Sequence, residues 1–263
     1  MKPRISKTIR RMLSGTVLFL LIALTGVVTL LFFPQPMFAN KLVHKNFVVY
    51  SSDEIPNAIS RILDGAYGTI EGCELNDPTF RFDLFLAHGN PFNRLDDLQG
   101  SGAVARATAG NIILKTPVNF VCNEAYTTRS RINLEELLIH EMVHVLQTNR
   151  YGMLRFNPWS HPPLWKLEGY PEYVARQDRR NAGYKLSNEI GRYVTLRAES
   201  IDGWVEVVPG HFMPAVYYKG RLMVEYLMDI KGLSYDEILS SDDPEDEVFN
   251  EMLRWSEEQR QAD

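Results

Sequence analysis

The sequence predicts an α+β domain placed behind an N-terminal membrane-spanning helix, and three observations carry that prediction. Residues 12–33, MLSGTVLFLLIALTGVVTLLFF, form an uncharged run of 22 residues. Beyond this run the first part of the chain mixes strand-like and helix-like patterns, and the last part is helical almost throughout. Between them stands HEMVH at 140–144, a spacing that belongs on a helix.

At 1.5 Å per residue the apolar run is long enough to cross a hydrocarbon core of about 30 Å. Lys2, Arg4, Lys7, Arg10 and Arg11 precede it. The positive-inside rule keeps that end in the cytoplasm and delivers everything after Pro34 to a periplasmic or extracellular space. The rival is a cleaved signal peptide, with Met37-Phe38-Ala39 before Asn40 as its processing site. The run exceeds the usual 7–15 residues of such a segment, which favours an uncleaved single-pass signal-anchor. The expected organisation is therefore a cytoplasmic basic segment (1–11), a transmembrane helix (12–33), a linker (34–46) and one domain (47–263). Cys73 and Cys122 both fall in the exported part, where either a disulfide or two free thiols is allowed.

About 225 residues remain beyond the span, enough for one domain with a real core. Net charge is −5 with both signs dispersed, so the basic footprint of a nucleic-acid binder is missing. FVVYSS (47–52) predicts a strand, and Ile55 to Ile70 a helix with Ile59, Ile62, Leu63 and Tyr67 inward. FRFDLFLAH (80–88) alternates like a half-buried strand, and NIILK (111–115) predicts a short strand just before the motif helix. Helices are expected at 168–181, 186–197, 213–230, 234–239 and 244–259, ending in a frayed polar tail, EEQRQAD.

Histidines at i and i+4 project from one helix face, so His140 and His144 can share a metal ion. Glu141 sits on the turn between them, placed to act as general base on water activated at the metal without ligating it. Asn133 is a good N-cap for this helix, Glu136 occupies the capping-box position, and Gly152 marks its end. A catalytic zinc takes three protein ligands and keeps an open position, and Glu168 is available as the third. Glu172 falls one turn later. Its carboxylate can accept the outer N–H of a ligating histidine, or pair with Arg176 on its own helix. His161, in the Pro-rich loop NPWSHPPLW (157–165) between the two ligand segments, is expected as a loop histidine, with contact to substrate as the alternative, and His44, His88 and His211 have no ligand-like spacing.

With these residues the chain resembles the gluzincin, or peptidase MA-like, zinc metallopeptidases. PPLWKLEGYPEYVA (162–175) is similar to the segment that supplies the family's third zinc ligand, which implies that role for Glu168. AVYYKGRLMVEYL (215–227) resembles the helix whose tyrosine steadies the oxyanion, which implies Tyr217, with Tyr218 as the neighbouring alternative. The resemblance spans 133–230. It implies a zincin-like fold with a small β-sheet lobe, an active-site helix and a helical C-terminal lobe, and makes 111–115 the edge strand that pairs with an extended substrate. GSGAVARATAG (100–110) lacks the acidic residue with which the aminopeptidase branch grips a free N-terminus, so the compact branch is the better match.

The expectation is thus a membrane-anchored enzyme holding one zinc per chain through His140, His144 and Glu168 and hydrolysing peptide bonds of a peptide or protein substrate. Two alternatives stay open: an inactive exported binding or chaperone module of the same fold, and a zinc hydrolase of a non-peptide amide.

Overall fold

The computed structural model describes residues 7–262 apart from 101, 109, 129, 157–160, 178–182 and 201. Lys2 and Arg4, the start of the Pro-rich loop and the end of the helix expected at 168–181 therefore lie outside the described residues.

Helix α1 (Lys7–Phe32) contains the span. Its Gly15–Phe32 window has a mean hydropathy of 2.5 and none of it is buried, so it is long and apolar enough to cross a membrane, a property a signal sequence shares. The chain does not continue as a linker. Gln35–Met37 form a 3-10 turn and β1 (Asn40–His44) is the first strand of the main sheet, so the expected linker at 34–46 is part of the fold.

That sheet has the order β1, β2 (Phe47–Ser51), β3 (Phe82–Leu86), β5 (Asn111–Leu114), β4 (Ala105–Thr108). Strands β2, β3 and β5 run parallel, and β1 and β4 close the two sides antiparallel. Two expectations are corrected by this order. Strand β5 is interior, with all four residues buried, and the edge is β4. Strand β3 is covered on both faces, because alternate side chains of a central strand enter different layers. Leu84 joins the main core, while Phe85 joins a second cluster with Ala87, Phe92 and Ile113.

Helix α2 (Ile59–Glu71) begins four residues later than expected and buries Ile59, Ile62, Leu63, Ala66 and Ile70, one stripe at helical period, against the main-core face. Helix α3 (Pro91–Asp96) covers the other face with Phe92. A small sheet, β6 (Val118–Asn119), β7 (Glu124–Tyr126) and β8 (Arg131–Asn133), leads into α4 (Leu134–Tyr151).

The remainder is α5 (Leu164–Ala175), α6 (Leu186–Ala198), the hairpin β9 (Trp204–Val208) and β10 (His211–Pro214), α7 (Ala215–Glu225) continuing as a π-turn over Tyr226–Ile230, α8 (Tyr235–Ser240) and α9 (Glu245–Ala262). The tail expected to fray is helical through Ala262. Helices α5 and α7 cross at two glycines: a Cβ on Gly169 would lie 2.5 Å from the Gly220 carbonyl oxygen, so only glycine permits this approach. The described chain is thus a mixed α+β protein with one apolar N-terminal helix. Both cysteines are free, Cys73 buried and Cys122 exposed.

Candidate metal centre

Helix α4 starts as its sequence dictates. Asn133 Oδ1 accepts from the Glu136 backbone N–H at 3.1 Å, Glu135 and Glu136 lie at the positive end of the helix dipole, and Gly152 closes the helix at φ 85°. Glu136 turns its carboxylate toward Arg176, 3.9 Å from Nη1. The helix carries His140, Glu141 and His144 on the face that α5 covers, and α5 brings Glu168 to them.

The three donor atoms form a tight triangle. His144 Nε2 is 3.1 Å from His140 Nε2 and 3.2 Å from Glu168 Oε2, and His140 Nε2 is 3.3 Å from the same oxygen. Glu141 is 6 % exposed beside them. Glu172, one turn beyond Glu168, pairs with Arg176 and stands close to His140. Its Oε1 stands 3.2 Å from His140 Nδ1, off the line of a well-aligned hydrogen bond, and its Oε2 accepts from Arg176 Nε at 2.9 Å.

The charges follow from this packing. Burial opposes ionisation of His140, but the carboxylates of Glu168 and Glu172 outweigh it and raise its pKa well above the ordinary imidazole value. Burial likewise works against the Glu168 and Glu172 carboxylates. The histidines outweigh it at Glu168, and Arg176 with His140 outweighs it at Glu172, whose carboxyl is held down to about 2. Glu141 goes the other way, pushed up by burial and by Glu168 against the pull of His140, His144 and Arg106. A buried pocket that gathers two imidazoles and a carboxylate this closely attracts either protons or a cation.

Pro171, inside α5, sets the tautomer of His144 on α4 through Gln147. Proline has no N–H, so the carbonyl four residues back, Leu167, loses its helical donor. The side chain of Gln147, wholly buried, donates to it from Nε2 at 3.1 Å and donates also to the Tyr235 hydroxyl at 2.7 Å. Tyr235 passes its own hydrogen to the Lys166 carbonyl at 3.0 Å. With Nε2 committed, Gln147 Oε1 faces His144 Nδ1 at 2.8 Å and only accepts, so Nδ1 carries the hydrogen. The lone pair of His144 is left on Nε2, pointing into the triangle.

No protein-family model, curated protein or solved structure matches this chain. The site is described by its geometry alone: among the described residues, His140, His144 and Glu168 form a group able to hold a metal ion.

The two tyrosines of α7 separate cleanly. Tyr217 stacks on His140, with ring centroids 6.1 Å apart and planes 24° apart, and burial together with Glu168, Glu141 and Glu172 raises its pKa. Tyr218 is turned into the core, bonded to Glu189 and packed edge-on to Tyr193. His161 donates to the Pro162 carbonyl, and His44 pairs with Asp64; neither joins the triangle. Two residues escaped the sequence reading, Gln147 and Arg106, which lies on edge strand β4 and acts electrostatically on Glu141. The spacing of Gln147, three residues after His144, places it on the same helix face but does not give its role.

Proposed function

We propose that this protein is a zinc metallopeptidase of the gluzincin type, with a zincin-like fold, held on a membrane by its N-terminal helix with the catalytic domain on the extracytoplasmic side. The observation that carries the reading is the donor triangle. Ligand bonds of about 2.0–2.1 Å in a tetrahedron put neighbouring donor atoms about 3.3 Å apart. The three edges here measure 3.1, 3.2 and 3.3 Å between two nitrogens and a carboxylate oxygen, which supports a zinc ion held among them.

His140, His144 and Glu168 would hold the metal, with Glu172 and Gln147 orienting the two imidazoles from behind. When bound, zinc supplies a Lewis acid that acidifies water and polarises a scissile carbonyl. Glu141 takes the proton from the attacking water as its oxygen bonds to the carbonyl carbon, and hands that proton to the amine nitrogen as the C–N bond breaks. Tyr217 donates its hydroxyl hydrogen to the carbonyl oxygen as negative charge grows there. Its ring, stacked on His140, supports this role by holding the phenol beside the donor triangle. The five cations before the span support the stated orientation.

The test is Glu141→Gln in the full chain, assayed with a peptide library for cleavage and by elemental analysis for metal. Turnover should fall at least about a thousandfold while metal content is unchanged. A variant with undiminished cleavage would remove Glu141 from the reaction.

A further inference from the structure

The segment joining the apolar helix to the sheet is built into the domain. Leu31, in the last turn of α1, packs with Met37 and Phe38 against the buried cluster of Phe85, Phe92 and Ile113. Phe38 meets Phe85 and Phe92 at 5.2 and 5.9 Å between ring centroids. Polar contacts tie down the backbone between these points. Asn111 Nδ2 donates to the Phe32 carbonyl at 3.0 Å, Asn90 Nδ2 to the Met37 carbonyl at 2.8 Å, and Gln35 Nε2 to Asp83 at 3.1 Å. Processing at Ala39 would strip Phe38, Met37, Gln35 and Phe32 from this face, leaving Phe85, Phe92 and Ile113 uncovered and Asn90 and Asn111 without these partners.

The same contacts limit how far the metal centre stands from the end of the span. Asn111, whose side chain holds Phe32, is paired across the β4–β5 hairpin with Thr108, and Arg106 lies two residues further along β4. Helix α4 packs on that strand. The Asn111 side chain and the cross-strand step contribute about 5 Å each, the length of β4 about 10 Å, the packing of helix on strand about 10 Å and the stretch of α4 to Glu141 up to about 15 Å. The whole path from Phe32 to Glu141 is therefore no more than about 45 Å, whatever the tilt of the domain, and an extended chain covers that in about thirteen residues.

We propose that α1 is retained as a docked anchor without a flexible stalk, and that the metal centre serves polypeptide segments presented within about thirteen residues of the bilayer surface, the juxtamembrane stretches of other membrane-held chains. The substrate half of this proposal rests on the peptidase reading above; the anchor half does not.

Three readouts on the full chain in lipid nanodiscs or vesicles test it. Intact mass of protein recovered from host membranes should include residues 7–39, whereas a mature chain beginning at Asn40 overturns the anchor half. An environment-sensitive dye at Thr108→Cys, in a Cys122→Ser background where buried Cys73 stays unlabelled, should be quenched by headgroup nitroxide lipids. A fully aqueous, unquenched dye overturns the docking. Last, a quenched peptide is tethered to the same vesicles through spacers of about 6, 15 and 30 residues. Its kcat/KM should fall about tenfold from the shortest to the longest spacer, with free peptide cleaved worst, and with Glu141→Gln inert throughout. A flat profile overturns the substrate half alone. Absence of cleavage of every peptide, free or tethered, overturns it together with the peptidase reading, and leaves mass and quenching to decide the anchor.

Discussion

Gln147 shows how a single side chain ties two helices to one histidine of the candidate metal centre. Its amide is oriented by a carbonyl that Pro171 frees, and that orientation decides which nitrogen of His144 faces the triangle. Replacing it by leucine removes the acceptor and abandons the Leu167 carbonyl. Gln147→Leu should weaken zinc binding about 10–100-fold in a chelator competition, as losses of such supporting bonds do. An unchanged affinity would mean that His144 needs no partner on Nδ1. Glu172 supports the other histidine and leaves a mark in the acid range of the metal-free protein. Its carboxyl titrates at about 2 in the fold against 4.5 as the reference. A depressed carboxylate stabilises the fold above the reference pKa, and that stability is lost as pH falls from about 4.5 through about 2. The full effect is on the order of 3 kcal/mol, shared with Arg176 and His140. Glu172→Gln should therefore melt well below wild type at pH 6, with the gap closing toward pH 2. A gap that stays constant with pH would assign the loss to packing. His140, Glu141 and His144 were legible in the sequence because one helix turn sets their mutual placement. The role of Gln147 was not, because it depends on a carbonyl supplied by another helix.

At the level of elements, the centre is assembled where α5 crosses α7. The glycine contact between Gly169 and Gly220 lets Glu168 and Tyr217 approach His140 from two helices at once. Gly169→Ala would lower thermal stability by about 1–3 kcal/mol, because the new methyl meets backbone that has no rotamer to change. It would also weaken metal binding, since Glu168 is the adjacent residue. An exposed helical glycine changed to alanine gains up to about 1 kcal/mol, so a stabilised variant would contradict the close crossing. The helices from α6 onward matched their sequence periods closely, because an amphipathic stripe is a local property. The sheet did not. Strands β3 and β5 pair in parallel across a helix and the β4 strand, and which strand ends on the edge is settled by non-local pairing that no window of sequence contains. The small strands β6 to β8 were missed for the related reason that two or three residues carry too little period to detect.

For the whole molecule, an apolar N-terminal helix and a mixed α+β composition were legible in the sequence, but the joint between helix and sheet was not. Residues 34–46 are polar enough to resemble a tether, yet Phe38 and the 3-10 turn fill the face of the sheet that α2 and α4 leave open. Burial of that kind depends on what the opposite face of a strand meets, and composition does not report it. The proposed reaction, from water activation to the substrates reached near the bilayer surface, depends on a metal ion held by His140, His144 and Glu168. The most direct test is elemental analysis of the purified full chain after dialysis, wild type beside His144→Ala. About one zinc per wild-type chain, lost in the variant while both remain folded, is the predicted result. A folded wild-type chain that carries no metal and takes up none on zinc addition would contradict the account.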